Sequence, residues 1–197
     1  MNKNKLPFFV LLFALLTQAS TLSSQSLQML PKVGLGINGL DLSIEIPVTE
    51  KITIEPAVGF GPSYDFSDRD AVFSKMGKHW ALSKSSVHVS ANSKFFYDRE
   101  RRMRKGKSLL FNSGSFIGAQ VKYVTQPLTS DKFHGQSNTL LASLSWGGQS
   151  NIGRYWKYSF SLGMGYGRNL EYSYGTFYPA YDIKVAYVLP LFARNDW

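Results

Sequence analysis

The segment WKYSFSLGMGY, residues 156–166, decides the fold. Large apolar side chains stand at every second position, from Trp156 through Phe160 to Tyr166, and small or polar residues stand between them. This alternation is typical of a β-strand, because successive side chains of a strand point to opposite faces. The segment therefore predicts a strand with one apolar and one polar face.

The same alternation recurs along the chain. It is found at residues 40–46, 52–60, 87–97, 117–124, 140–147 and 181–189. With residues 156–166, these segments predict seven strands. A closed antiparallel barrel has an even number of strands, so an eighth strand is expected if the sheet closes.

The start of the chain offers that eighth strand. Apolar residues occupy odd positions in 33–37 and even positions in 40–46, so the apolar face changes sides at Asn38-Gly39. Asn-Gly is a strong hairpin signal. One interpretation is a hairpin that separates a strand at 27–37 from the next. The other is one long strand with a bulge.

The first 25 residues predict a secretory signal peptide. Lys3 and Lys5 precede an apolar run at 6–16, and small residues follow. The run is too short for a bilayer-spanning helix of about 20 residues, although an uncleaved anchor stays an alternative. The expected organisation is a signal peptide at 1–25 and one barrel domain at 26–197.

Composition limits the chemistry. The chain has 197 residues, 44% of them hydrophobic and 15% aromatic, and no cysteine. The lack of cysteine excludes a disulfide framework, cysteine-ligated zinc and a thiol nucleophile. The net charge is +9, and without Lys3 and Lys5 it is +7, from 20 basic and 13 acidic residues.

Alternation alone fits either a soluble sandwich with an apolar core or a membrane barrel with a polar lumen. Three features favour the barrel: long strands, a polar face rich in Ser and Gly, and aromatic residues near the strand ends. The predicted aromatic girdle consists of Tyr123, Trp146, Trp156, Tyr166, Tyr181 and Tyr187. We therefore expect an all-β, single antiparallel up-and-down transmembrane β-barrel of eight strands.

The polar faces carry charges of both signs. The expected lumen charge network consists of Asp41, Glu45, Glu55, Lys94, Lys122, Lys157, Asp182 and Lys184. An eight-stranded barrel is just wide enough for side chains to fill it. Because a lone buried charge is costly, these groups are expected to pair and to close the lumen.

The connections alternate between two sides of the barrel. Residues 47–51 are assigned to the periplasmic side, which places 98–108 and 147–154 there as inner turns and 60–81, 125–137 and 169–179 outside. The strongly basic stretch 98–107 suits phospholipid head groups or an acidic periplasmic partner. An ordinary solvated turn is the favoured interpretation, and nucleic acid is not expected for an exported chain.

Other polar residues give weak signals. Asp65, Asp68 and Asp70 lack the full pattern of a calcium loop. Lys75, Lys78 and His79 suit lipopolysaccharide phosphates, but an ordinary polar loop is favoured. His79, His88 and His134 lack zinc spacing. His88 is interpreted as a hydrogen-bonding residue of the lumen, because no G-x-S-x-G motif supports a hydrolase.

Together these features resemble the small outer-membrane β-barrel proteins of Gram-negative bacteria. The resemblance is carried by the leader, by the strand spacing over 27–192, by KFFY at 94–97 followed by an Arg-rich stretch, and by the aromatic strand at 181–192. In that family, a terminal aromatic strand is read by the barrel-assembly machinery, a role that Tyr187, Leu189 and Phe192 fit. Pro190 and residues 194–197 depart from the pattern. The resemblance implies a fold and a compartment, and no catalytic residue.

The expected function is a non-enzymatic outer-membrane barrel with a closed, salt-bridged lumen and a structural or loop-mediated binding role. A narrow channel for small apolar molecules is the alternative, and an outer-membrane lipid hydrolase is less favoured. The expected partners are outer-membrane lipid, lipopolysaccharide and the barrel-assembly machinery. No cofactor and no metal are expected.

Overall fold

The chain folds into a closed barrel of eight antiparallel strands. The computed structural model describes residues 27–64, 80–128, 138–171 and 175–190. Each strand pairs with its neighbours in sequence, and β1 pairs with β8 to close the barrel. This confirms the expected all-β, up-and-down, eight-stranded architecture. The strands are β1 Leu30–Gly36, β2 Gly39–Pro47, β3 Ile52–Tyr64, β4 Trp80–Phe96, β5 Gly114–Val124, β6 Thr139–Ile152, β7 Trp156–Asn169 and β8 Gly175–Val188.

The two ends of the barrel differ in their connections. The end that we call the turn end carries the connections 48–51, 97–113 and 153–155. The opposite end, called the loop end, carries the β1–β2 hairpin and the segments that join β3 to β4, β5 to β6 and β7 to β8. This grouping follows from the alternation of antiparallel strands.

The β1–β2 connection is a hairpin and not a bulge in one long strand. Gly36 pairs with Gly39, so the chain reverses at Ile37 and Asn38, one position before the expected Asn38-Gly39 turn. Gly39 follows with φ of 99°, a conformation that glycine adopts at low cost. A Cβ at Gly39 would lie 2.1 Å from the Phe60 carbonyl oxygen, which also requires glycine there.

The inner turn expected at 147–154 is wrong. Strand β6 continues to Ile152, and only residues 153–155 connect it to β7. The glycines in this segment resemble a turn, but they serve close packing. A Cβ at Gly147 would lie 2.3 Å from the Phe160 carbonyl oxygen and 2.9 Å from the Phe116 ring.

Two connections at the loop end are shorter than expected. Strand β3 runs to Tyr64 and pairs there with Trp80 of β4, past a register shift between Pro62 and Ser63. The expected loop 60–81 therefore shrinks to 65–79. Strand β8 begins at Gly175, inside the loop expected at 169–179, because its first residues still pair with β7.

The connection between β4 and β5 packs against the turn end. It contains a short helix, α1 Arg99–Arg104, followed by a 3₁₀ turn at Leu110–Asn112. Phe111 has φ of 52° and is buried against Leu30 and Val188. A second apolar cluster at this end joins Leu27, Phe96 and Phe116. The expected simple turn at 98–108 is thus part of a folded cover.

The barrel interior is layered. Apolar clusters occupy the turn end, and another cluster of Tyr64, Val124, Leu141 and Tyr178 lies at the loop end. Polar and charged side chains fill the space between these layers. The charged groups are therefore separated from both ends of the barrel by apolar side chains.

Candidate functional site

The outer surface of the barrel is apolar, and its interior is polar. Leu144 is 67% exposed and Leu162 is 63% exposed on the outside, whereas Glu45 and Lys157 are 0% and 2% exposed inside. This is the inverse of a soluble β-protein, whose apolar face turns inward. Phe160 and Val185 also point outward.

Glu45 is the centre of the charged interior. Its Oε2 accepts hydrogen bonds from Lys157 Nζ at 2.6 Å and from Lys32 Nζ at 2.9 Å. Its Oε1 accepts from Asn112 Nδ2 at 3.0 Å and from Gln149 Nε2 at 3.1 Å. Both carboxylate oxygens of a fully buried group are therefore satisfied, which offsets the cost of removing the charge from water.

Glu55 lies next to this centre and shares a lysine with it. Its Oε2 lies 2.6 Å from Lys94 Nζ and 2.9 Å from Lys32 Nζ. Lys94 Nζ also donates to Gln149 Oε1 at 3.0 Å and lies 5.3 Å from the centre of the Phe116 ring. Because Lys32 contacts both glutamates, the two carboxylates belong to one network.

A second group of polar side chains lies nearer the loop end. Lys184 Nζ lies 2.7 Å from Asp41 Oδ2. Asn38 donates through Nδ2 to Asp182 Oδ1 at 2.8 Å and accepts from the Tyr64 hydroxyl at 2.9 Å. The hairpin residue Asn38 thereby links β8 to β3.

Lys122 makes weaker contacts than the other interior lysines. Its Nζ lies 3.5 Å from the Tyr64 hydroxyl and 5.4 Å from the centre of that ring. Within the described ranges, no carboxylate oxygen lies within 4.0 Å of it. Lys122 and the buried His88 line the same small cavity.

That cavity is too small for a solute. It measures about 40 Å³ and lies among the polar side chains of the interior. A buried water needs about 10–15 Å³ by this measure, so only a few waters fit. Two buried acceptors of its lining, Asp41 Oδ1 and Asn92 Oδ1, have no protein partner and suit hydrogen bonds from such waters.

All eight residues of the expected lumen network lie on the inner face of their strands. Ion pairs join six of them: Asp41, Glu45, Glu55, Lys94, Lys157 and Lys184. Sequence reasoning missed Lys32, Gln149 and Asn112. The sequence pattern could have predicted Lys32, because it alternates with the outward residues of β1. No pattern predicts Asn112, because it reaches Glu45 from an irregular connection.

The six aromatic residues of the expected girdle face outward. Trp156 and Tyr187 pack edge to face at the turn end, with ring centres 5.3 Å apart. Tyr166 packs against Phe177 in the half nearer the loop end. Tyr123 is the penultimate residue of β5 at that end, whereas Tyr181 lies midway along β8. Trp146 donates through Nε1 to the Tyr97 hydroxyl at 2.7 Å.

Several weak sequence signals lie outside the described residues. They are Asp65, Asp68, Asp70, Lys75, Lys78, His79, His134, Phe192 and the leader 1–25. In the part of the chain that the structure describes, no three His, Asp or Glu side chains are grouped so that they could hold a metal ion. No helix in that part is long and apolar enough to cross a membrane.

The helix α1 and the residues after it form a basic surface at the turn end. Glu100 in this helix accepts a hydrogen bond from Lys51 of the β2–β3 turn, and this contact lowers the pKa of Glu100 below its usual value. Asp98 accepts from the backbone N–H of Ser115 at 2.8 Å. Both carboxylates of this segment, Asp98 and Glu100, therefore accept hydrogen bonds from other parts of the chain.

Comparisons with known proteins give no relative. No protein family, no curated protein and no solved structure matches this chain.

Proposed function

We propose that this chain is a non-enzymatic outer-membrane β-barrel with a closed, salt-bridged lumen and a structural or loop-mediated binding role. One observation carries the proposal: a continuous apolar outer surface encloses an interior of paired charges. In water, that outer surface would be unfavourable, since each exposed apolar Å² costs about 25 cal/mol. In lipid it is solvated, and the pairing of β1 with β8 from Lys32–Val188 to Gly36–Lys184 closes the sheet there, as a lipid-exposed barrel requires.

The proposed orientation places the turn end in the periplasm and the loop end outside. Outer-membrane barrels have short periplasmic turns and longer external loops. Lipid would contact the outward aromatic residues, and lipopolysaccharide is the partner expected around the loop end. The barrel-assembly machinery would act during insertion.

The lumen is proposed to be closed to solutes. The Glu45 network crosses the interior, apolar clusters lie on either side of it, and the cavity between holds only a few waters. A conducting pore would need a continuous wide path, which these side chains fill.

Membrane fractionation with heat-modifiable migration in detergent gels tests the membrane assignment. We expect a folded form that migrates differently from the boiled form and that is found in the outer-membrane fraction. Folded monomer in the soluble fraction without detergent would refute the assignment. Planar-bilayer recordings test the closed lumen, for which we expect no steady solute-selective conductance.

A second candidate function is lateral passage of a small apolar molecule. Strand β1 pairs with β8 only from Lys32–Val188 to Gly36–Lys184, so in the described ranges the first residues of β8 have no β1 partner. The apolar loop-end cluster, which includes Tyr64 and Tyr178, lies beside that stretch. Uptake of a labelled apolar solute into vesicles, lost when a bulky residue replaces Ala180, would favour this candidate over the closed barrel.

A further inference from the structure

Four cations on the basic surface form no ion pair with another described residue. Arg101, Arg104, Lys105 and Lys107 are exposed. Among the described residues, no carboxylate oxygen lies within 4.0 Å of any of them. The two acidic groups nearby are already used, because Glu100 binds Lys51 and Asp98 binds a backbone N–H. The segment therefore presents a net positive surface to whatever it meets.

This surface adjoins the apolar outside of the barrel. Met103 lies within the same helix and is 40% exposed. Tyr97, two residues before α1, is on the outside and accepts the hydrogen bond from Trp146. Basic side chains next to exposed apolar and aromatic ones are typical of the boundary between hydrocarbon and head groups.

We propose that the surface formed by Arg101, Arg104, Lys105 and Lys107 binds the phosphates of anionic phospholipids in the leaflet at the turn end. The inference rests on the proposed membrane function. Charge complementarity selects the lipid class, because each Lys or Arg near an anionic bilayer is attracted to it. A lipid is favoured over a soluble acidic protein because the basic surface adjoins the apolar outer face of the barrel, where Met103 and Tyr97 are exposed.

The cover at the turn end holds these cations in place. Arg102 donates to the Ser108 carbonyl at 2.9 Å, and the backbone N–H of Lys107 bonds to the Arg102 carbonyl at 3.0 Å. Phe111 anchors the following 3₁₀ turn in the barrel. The basic surface is therefore part of the folded protein and not a loose tail.

Lipid selectivity tests the proposal. The full chain is folded into vesicles of phosphatidylcholine that contain spin-labelled phosphatidylglycerol or spin-labelled phosphatidylcholine. The motionally restricted fraction then gives the relative affinity of the two lipids. We expect a preference for phosphatidylglycerol of about threefold, falling at high salt because counter-ions screen exposed charges.

Variants assign that preference to the surface. R101Q/R104Q/K105Q/K107Q should bring the ratio close to one. R104Q should lower it more than R168Q, which removes an exposed cation at the opposite end. A quadruple variant that inserts normally but keeps the full preference would overturn the inference, as would equal effects of R104Q and R168Q. Failure of the wild-type chain to insert into any vesicle would instead contradict the proposed function.

Discussion

Glu45 and Lys157 lie 112 residues apart in the chain, yet Lys157 Nζ donates to Glu45 Oε2 at 2.6 Å inside the barrel. Glu45 is on β2 and Lys157 is on β7, so the contact crosses the lumen. Both side chains are almost completely buried. The pair links two strands, β2 and β7, that are not neighbours in the sheet.

Glu45→Gln should strongly destabilise the barrel. The change leaves Lys157 buried without the carboxylate that it binds and removes one of the two carboxylates that Lys32 contacts, and breaking a buried pair costs about 3–5 kcal/mol. Urea unfolding in detergent or lipid measures the free energy. Glu50→Gln, at an exposed turn position, is the control and should change stability by less than about 0.5 kcal/mol. Equal effects of the two changes would contradict the role of the network.

Glu55 and Lys94 should be energetically coupled. Glu55→Gln removes the nearer of the two carboxylates that Lys94 contacts, and Lys94→Met removes the nearest of the lysines that Glu55 contacts. The double variant removes both charges of the 2.6 Å pair. We expect the double variant to cost about 1–3 kcal/mol less than the sum of the single variants. The control cycle combines Glu55→Gln with Lys51→Met. Lys51 binds Glu100 at the surface, so the two changes in the free energy of unfolding should be additive.

Gly165→Ala should disrupt packing near the loop end. A Cβ at this position would lie 2.5 Å from the ring of Tyr178, and overpacking costs about 1–3 kcal/mol. In a Tyr178→Ala background the same change should cost almost nothing, because the ring is absent. Thermal unfolding of the wild type, the two single variants and the double variant measures these costs. If Gly165→Ala destabilises the protein equally without the Tyr178 ring, the ring is not the group that the Cβ would contact.

Glu100 should titrate below the usual range of a glutamate. The hydrogen bond from Lys51 lowers its pKa, so Lys51→Met should raise that pKa, whereas Lys107→Met should leave it low. Carboxyl NMR titration measures both. Because the folded-state pKa is depressed, this contact stabilises the fold above the unfolded-state pKa of Glu100 and is lost as the pH falls through the folded-state value. The stability difference between wild type and Lys51→Met should therefore disappear in acid.

Side-chain parity explains why the interior charges were predictable. Odd and even positions of a strand point to opposite faces of the sheet. The apolar neighbours of Lys157 and Asp182 therefore assign these two residues to the polar face. Lys32 obeys the same rule between Pro31 and Val33. The predicted network lacks Lys32, although the same alternation assigns Lys32 to the inner face of β1.

Glycine shows where local reasoning misleads. Gly147 and Gly148 resemble a turn, yet they lie within β6, paired with Ser161 and Phe160 of β7. The reason for glycine at 147 is the nearby Phe116 ring and the β7 backbone, which no local pattern contains. The same holds for Phe111 and Asn112 of the cover, because the reason for these residues lies in their contacts with distant parts of the chain.

By itself, the sequence determined seven of the strands and the face on which each of their side chains stands, because these depend on an alternation that is local to each strand. The tertiary structure decided that residues 30–36 form a separate eighth strand. Only the tertiary structure decided that Lys32 joins Glu45 to Glu55, that Asn112 reaches Glu45, and that apolar layers enclose the charges. The physical reason is that strand register and strand tilt set the position of each inward side chain along the barrel axis. Two inward side chains can be in contact only when these positions match.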